Sequence, residues 1–183
     1  NNYSSFIKSH FGERVQKISL DTGFTCPNRD GSKGVGGCTY CNNNTFNPTY
    51  CKPQKSITQQ LNEGISFFLA KYKTQKYLAY FQAYTNTYAD INLVKGLYIE
   101  AINHPEVVGL VIGTRPDCIN EDLVDFLADL AKNNFISLEF GVESTLDKTL
   151  ELVNRCHTFS ETKAAYGLAK NKGIHLGAHM IIG

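Results

Sequence analysis

Apolar positions along this chain alternate between two periods. Val15–Leu20 (VQKISL), Tyr77–Phe81 (YLAYF), Val107–Ile112 (VVGLVI), Ile136–Phe140 (ISLEF) and Leu176–Ile182 (LGAHMII) are short runs rich in β-branched and aromatic residues. Several are apolar throughout, as parallel strands buried on both faces are. Between them the spacing changes to three or four: Ile57, Leu61, Ile65 and Phe68; Ile91, Val94, Leu97 and Ala101; Leu123, Phe126, Leu127 and Leu130. Each set predicts an amphipathic helix. Ser56-x-x-Gln59 forms a capping box for the first, and Asp90 and Asn120 precede the others. A short helix follows Ser144. A longer one runs from Phe159 to about Lys172, opened by Thr158-x-x-Glu161 and ended by Gly173.

The resulting order, β-α-β-α-β-α-β-α-α-β, predicts an α/β fold with right-handed crossovers on a parallel sheet. Five strands are too few to close an eight-stranded barrel. The sequence also stops at Gly183, just after a strand. The expectation is therefore one incomplete core domain over residues 1–183, an open barrel truncated after its fifth strand. A doubly wound sheet is the alternative.

Composition narrows the class. Among 183 residues, 42% are hydrophobic and 19% charged, which reads as globular and not disordered. No apolar run reaches the roughly 20 residues of a membrane span. The opening residues, NNYSSFIK, lack the basic-then-apolar pattern of a signal peptide. A cytoplasmic protein without a membrane partner is expected. The net charge of +1 gives no domain-wide basic footprint for nucleic acid. Residues 1–55 are mildly basic, with seven Lys/Arg against three acids.

The six cysteines change the picture. Cys26, Cys38, Cys41 and Cys51 lie close together, while Cys118 and Cys156 stand apart. In a cytosolic chain of this length such a cluster points to metal more than to disulfides. Cys26, Cys38 and Cys41 share one loop after the first strand, spaced Cys-x11-Cys-x2-Cys, with Gly31, Gly34, Gly36 and Gly37 between them. Loops at the C-terminal ends of strands are where β/α barrels keep their sites. Glycines permit a tight wrap around a bulky group. Thiolates suit iron–sulfur clusters and zinc. Three thiolates leave one iron of a cube open, whereas recruitment of Cys51 would make a four-cysteine zinc knuckle.

The phrases GFTCPNRDG (Gly23–Gly31), GGCTYC (Gly36–Cys41), GTRPDC (Gly113–Cys118), EFGVES (Glu139–Ser144) and NRCHT (Asn154–Thr158) resemble the radical S-adenosylmethionine (SAM) superfamily. The usual first gap there is x3. The x11 gap resembles the branch that holds the catalytic subunit of Elongator and the bacterial YhcC-like proteins. The resemblance implies a partial (β/α)6 barrel and a [4Fe–4S] cluster on Cys26, Cys38 and Cys41. It implies SAM on the open iron, cleaved reductively to a 5′-deoxyadenosyl radical that abstracts hydrogen from a substrate. An electron donor of flavodoxin or ferredoxin type is implied as well. A low reduction potential would follow from limited solvent access and few compensating positive groups.

Cofactor contacts are expected from the aromatic Tyr40 before the last cysteine, and from Gln82, Thr85 and Asn86 after the second strand. A Gly-Gly-Glu-type motif stands there in the family and is absent here. Glu143 and Ser144 stand at the end of the fourth strand, where alternation puts Glu143 on one face with Glu139 and leaves room at Gly141 between them. Glu139 has an ion pair as its competing role. His157 is a further cofactor candidate. Arg115 reads as a structural pair with Asp117 or a glutamate, the alternative being a hold on an anionic substrate group, and His179 reads as an inward-facing barrel histidine. The branch implies modification of a tRNA base, a wobble uridine. The alternatives are a small-molecule oxidoreductase of the coproporphyrinogen-oxidase type and a non-catalytic zinc or iron–sulfur module.

Overall fold

The structure is a computed structural model that describes residues 2–42, 47–70, 72 and 75–182. Its elements are α1 (Tyr3–Phe11), β1 (Val15–Leu20), α2 (Ile57–Leu69), β2 (Lys76–Phe81), α3 (Ile91–Ile102), β3 (Val107–Thr114), α4 (Glu121–Ala131), β4 (Phe135–Glu143), α5 (Asp147–Leu152), α6 (Phe159–Ala169) and β5 (His175–Met180). A 3₁₀ turn, Pro116–Cys118, follows β3. The five strands form one parallel sheet in sequence order.

The sheet is curled, and one ion pair demonstrates it. Neighbouring strands lie about 4.8 Å apart, so a flat sheet would separate β1 from β4 by about 14 Å. Yet Lys17 of β1 reaches Glu139 of β4 at 2.9 Å. The sheet is thus part of a barrel wall, open on one side, as the strand pattern predicts.

Alternation along each strand sorts side chains between two faces. Ile18, Leu20, Tyr77, Ala79, Phe81, Leu110, Ile112, Leu138 and Phe140 face outward and pack under the helices in the main core. All four predicted caps are present: Ser56 and Thr158 form capping boxes, and Asn120 accepts from the Leu123 amide. Asp90 likewise accepts from the amides of Asn92 and Leu93.

The inner face carries an element that the hydrophobic spacing does not announce. Helix α1 lies against it, and Ile7 packs with Leu78, Tyr80, Val111 and Phe135. Asn2 caps its start and Gly12, at φ 72, ends it. The rings of Phe6 and His10 pack on Phe135 and His175 from β4 and β5. The lower half of the barrel interior is therefore filled by α1.

Two boundaries differ from the sequence expectation. Helix α6 ends at Ala169, short of Lys172, although Gly173 does adopt a left-handed φ of 75 in the turn that follows. Strand β5 begins at His175 and ends at Met180, so Ile181 and Ile182 lie beyond it and are exposed. Among the described residues β5 pairs only with β4. Gly183 falls outside the described residues.

If α1 is the inner plug, Ile7→Ala should lower unfolding stability by about 2–4 kcal/mol, as buried Ile-to-Ala changes do. Leu93→Ala, at an exposed position, should stay within about 0.5 kcal/mol. Urea unfolding measures both, and equal effects would exclude the plug.

Candidate functional site

The upper half of the barrel interior is a cleft of about 350 Å³. Cys26, Cys38 and Cys41 line it, and they are the only cysteines among its described lining residues. Their loop is compact. The Cys26 carbonyl accepts from the amides of Arg29 and Asp30, the Pro27 carbonyl from Lys33 and Gly34, and the Asn28 carbonyl from Gly37. Gly37 has a φ of 81, and a Cβ there would stand 2.8 Å from the Arg29 guanidinium. A Cβ on Gly34 would fall 2.1 Å from Asn28 Oδ1. Only glycine fits either place.

The insert between the first two cysteines is clasped from outside. Lys33 pairs with Asp117 at 2.6 Å. Asn154 donates to the Gly37 carbonyl at 2.9 Å and to that of Val35 at 3.3 Å. The three sulfurs sit among cations. Arg115 Nη1 points at Cys26 Sγ from 4.0 Å, and Arg155 Nη1 at Cys38 Sγ from 3.6 Å. Arg29 donates to the Cys41 carbonyl at 3.2 Å. A hydrogen bond with the Cys41 side chain is the chief reason its guanidinium is held above its ordinary pKa. The expectation of few positive groups is overturned: each of these cysteines has its own arginine.

Arg115 is paired with Asp117 as the sequence suggests, through two bonds of 2.9 Å, both residues' side chains being 2% exposed. Burial pulls the Asp117 pKa up, but Arg115 and Lys33 outweigh it and leave it below the ordinary range. The remaining cysteines are elsewhere. Cys51 packs in the outer core with Tyr50 and Ile57. Burial, helped by the Asp21 charge, pushes its thiol up to about 12, where it stays protonated and is a poor ligand.

Of the cofactor-contact candidates, Tyr40, Gln82, Thr85 and Glu143 line the cleft. Asn86, Ser144 and His157 are not among its lining residues. Asn86 is buried and donates to the Gly113 carbonyl at 2.9 Å, joining the end of β2 to β3. Ser144 Oγ accepts from the Leu146 amide at 3.1 Å, opening the turn into α5. His157 is buried behind Arg155, and its Nε2 accepts a 3.0 Å hydrogen bond from the Arg155 Nε–H. Burial first, and then the Arg155 cation, lower its pKa, so the ring stays neutral and can accept.

Sequence reasoning did not single out Arg29, Asn28, Tyr80, Tyr84 or Arg155. Tyr84 lines the mouth with a left-handed φ of 59. The floor of the cleft is Glu139, 6% exposed. It accepts from Lys17 at 2.9 Å and from His179 Nε2 at 3.0 Å. Gly141 separates it from Glu143, because a Cβ there would lie 2.6 Å from Arg155 Nη2 and 2.7 Å from Glu143 Oε1. His179 and Ile181 line the cleft from β5 and just beyond it.

The donor set fits an iron–sulfur cube better than a lone ion. Three soft sulfurs from one loop open into one cavity, with N–H donors directed at two of them. Among the described residues no group of three or more His, Cys, Asp and Glu side chains converges as a single-ion site.

Known proteins carry the same arrangement of sequence and fold. The family model of the Radical SAM superfamily matches residues 25–183. Protein YhcC of Escherichia coli strain K12 is 36% identical over 184 residues, covering 100% of this chain and 58% of that protein. This chain thus spans little more than half the length of that relative. Elongator complex protein 3 of Danio rerio is 31% identical over 91 residues, 49% of this chain and 16% of its own. A solved structure of the archaeal Methanocaldococcus infernus Elp3 with an N-terminal deletion superposes with a TM-score of 0.61 at 21% identity, covering 92% of this chain and 38% of that one.

The Glu139 floor generates a pH signature. His179 is held above its ordinary value of 6.5, first by its hydrogen bond to Glu139. A base whose folded pKa is raised contributes stability that is full below about 6.5 and lost as pH rises through the folded value. Ring-proton NMR titration should show the His179 pKa falling in Glu139→Gln. An unchanged pKa would remove Glu139 as the cause.

Proposed function

This chain belongs to the radical SAM superfamily, and we propose that it is the core of a radical SAM enzyme whose [4Fe–4S] cluster is held by Cys26, Cys38 and Cys41. The observation that carries this reading is the sorting of the cysteines. Those three open into the cleft, whereas Cys51 is packed in the outer core with a high pKa. The same sorting disfavours a four-cysteine zinc knuckle.

When bound there, the cluster supplies one electron that cleaves the C5′–S bond of SAM, yielding methionine and a 5′-deoxyadenosyl radical. The remaining work belongs to the protein: binding, orientation and exclusion of water. Tyr40, Gln82, Thr85 and Glu143 line the same cleft as the sulfurs and are the proposed SAM contacts. A carboxylate such as Glu143 can accept from two ribose hydroxyls. Glu139 and Tyr80 line the inner end of the cleft. Electrons come from an external carrier of flavodoxin or ferredoxin type, in the cytoplasm.

The substrate we propose is a tRNA base at the wobble position. Similarity to Elongator complex protein 3 supports it. The near-neutral charge of this chain assigns most phosphate contacts to the further length that its relatives possess, or to a partner. No helix among the described residues is long and apolar enough to cross a membrane.

Two measurements test this. After anaerobic reconstitution, Ala at Cys26, Cys38 or Cys41 should each abolish cluster iron and sulfide and SAM cleavage, while Cys51→Ala should keep both near wild type. Loss of iron in Cys51→Ala equal to that in Cys38→Ala would leave no open iron and end the proposal. Incubation with SAM, reductant and cellular tRNA should yield a modified nucleoside by mass spectrometry. SAM cleavage without any altered nucleoside would reject the tRNA substrate alone.

A further inference from the structure

The segment between α5 and α6 is bent to aim one side chain. Asn154 and Cys156 both hold left-handed backbone angles, φ 54 and 56. Asparagine tolerates that region, whereas a cysteine there is uncommon and must be imposed by its surroundings. Arg155 lies between them and is buried. Its guanidinium is committed along its whole edge. Nε donates to His157 Nε2 at 3.0 Å, Nη2 to the Gly141 carbonyl at 2.5 Å, and Nη1 points at Cys38 Sγ from 3.6 Å. Asn28 Nδ2 donates to the same sulfur at 3.4 Å.

The other two arginines are less exclusively directed. Arg115 is farther from its sulfur, at 4.0 Å, and makes two bonds to Asp117. Arg29 is only half-buried. The acid nearest Arg155, Glu143, stands at 3.8 Å. Cys38 is thus a sulfur with two N–H donors, one of them a buried cation.

We propose that Arg155, held in place by His157, is a positioning residue that raises the reduction potential of the bound cluster through Cys38. This rests on the cluster assignment above. Potentials of such clusters depend on net charge, hydrogen bonds to sulfur and solvent exposure. Reduction from [4Fe–4S]²⁺ to [4Fe–4S]⁺ adds one negative charge from an external one-electron donor, with no bond broken and no proton moved. A cation and an amide dipole fixed on one ligand sulfur favour the reduced state, and burial keeps salt from screening them. The neutral His157 ring acts at one remove: it occupies Nε and so keeps Nη1 turned toward the sulfur, while Nη2 stands beside Glu143.

The test is an EPR-monitored potentiometric titration with dithionite, on reconstituted protein without SAM. Arg155→Gln should shift the one-electron equilibrium toward the oxidised state at least tenfold, about 59 mV. Arg155→Lys should recover part of that, and His157→Leu should fall between. Equal potentials at full iron content in all four proteins would overturn the proposal. If Arg155→Gln holds no cluster, the wild-type protein decides. With its arginines labelled with ¹⁵N, pulsed EPR of the reduced cluster should resolve a guanidinium nitrogen coupling, and its absence overturns the proposal. Wild-type protein that assembles no iron and sulfide fails at the cluster assignment instead, and takes this inference with it.

Discussion

A buried carboxylate organises this molecule. Glu139 sits inside the sheet, and removing such a charge from water is costly unless partners meet it. Its partners, Lys17 and His179, stand on β1 and β5, the two edges of the sheet. His179 reaches it from the neighbouring strand, but Lys17 can do so only when the sheet curls. Satisfying one charge and shaping the barrel wall are therefore the same event. The carboxylate also marks a level: α1 fills the interior below, and the cysteine cleft opens above.

Curling brings the strand-end loops together, and the cysteine loop depends on that. On its own it supplies turns and glycines. The groups that fix its sulfurs come from three places: Arg115 after β3, Arg155 after α5, and Asn28 and Arg29 within the loop itself. Lys33 and Asn154 complete the clasp on the insert. The long first gap between cysteines is thus pinned to the segments that follow β3 and α5.

Much of this was legible in the chain. The strands announced themselves because a doubly buried strand must be apolar at almost every position, as in Val107–Ile112. The grouping of Cys26, Cys38 and Cys41 in one cleft was legible because their spacing is local. Helix α1 was not, since Phe6, Ile7 and Phe11 make too short a stripe to stand out, although Asn2 and Gly12 were usable signals. Arg155 escaped notice for a different reason. Its meaning lies in contacts with Cys38 and Gly141, and the former is 117 positions away. His157 looked like a ligand contact because a sequence does not say which histidines are buried. The outer packing of Cys51 was equally invisible, as ten positions of chain can run toward the site or away from it.

The clasp between Asn154 and Gly37 also sets an order in time. Those residues are 117 positions apart. At ribosomal rates of roughly 5–20 residues per second, the cysteines emerge about 6–23 s before the segment that orients them. Through that interval the three thiols are on a nascent chain without their arginines, open to oxidants and to thiophilic metals. For the proposed cluster this means that iron and sulfide find their complete set of partners only after the segment carrying Arg155 has emerged, and that the waiting thiols have to stay reduced until then.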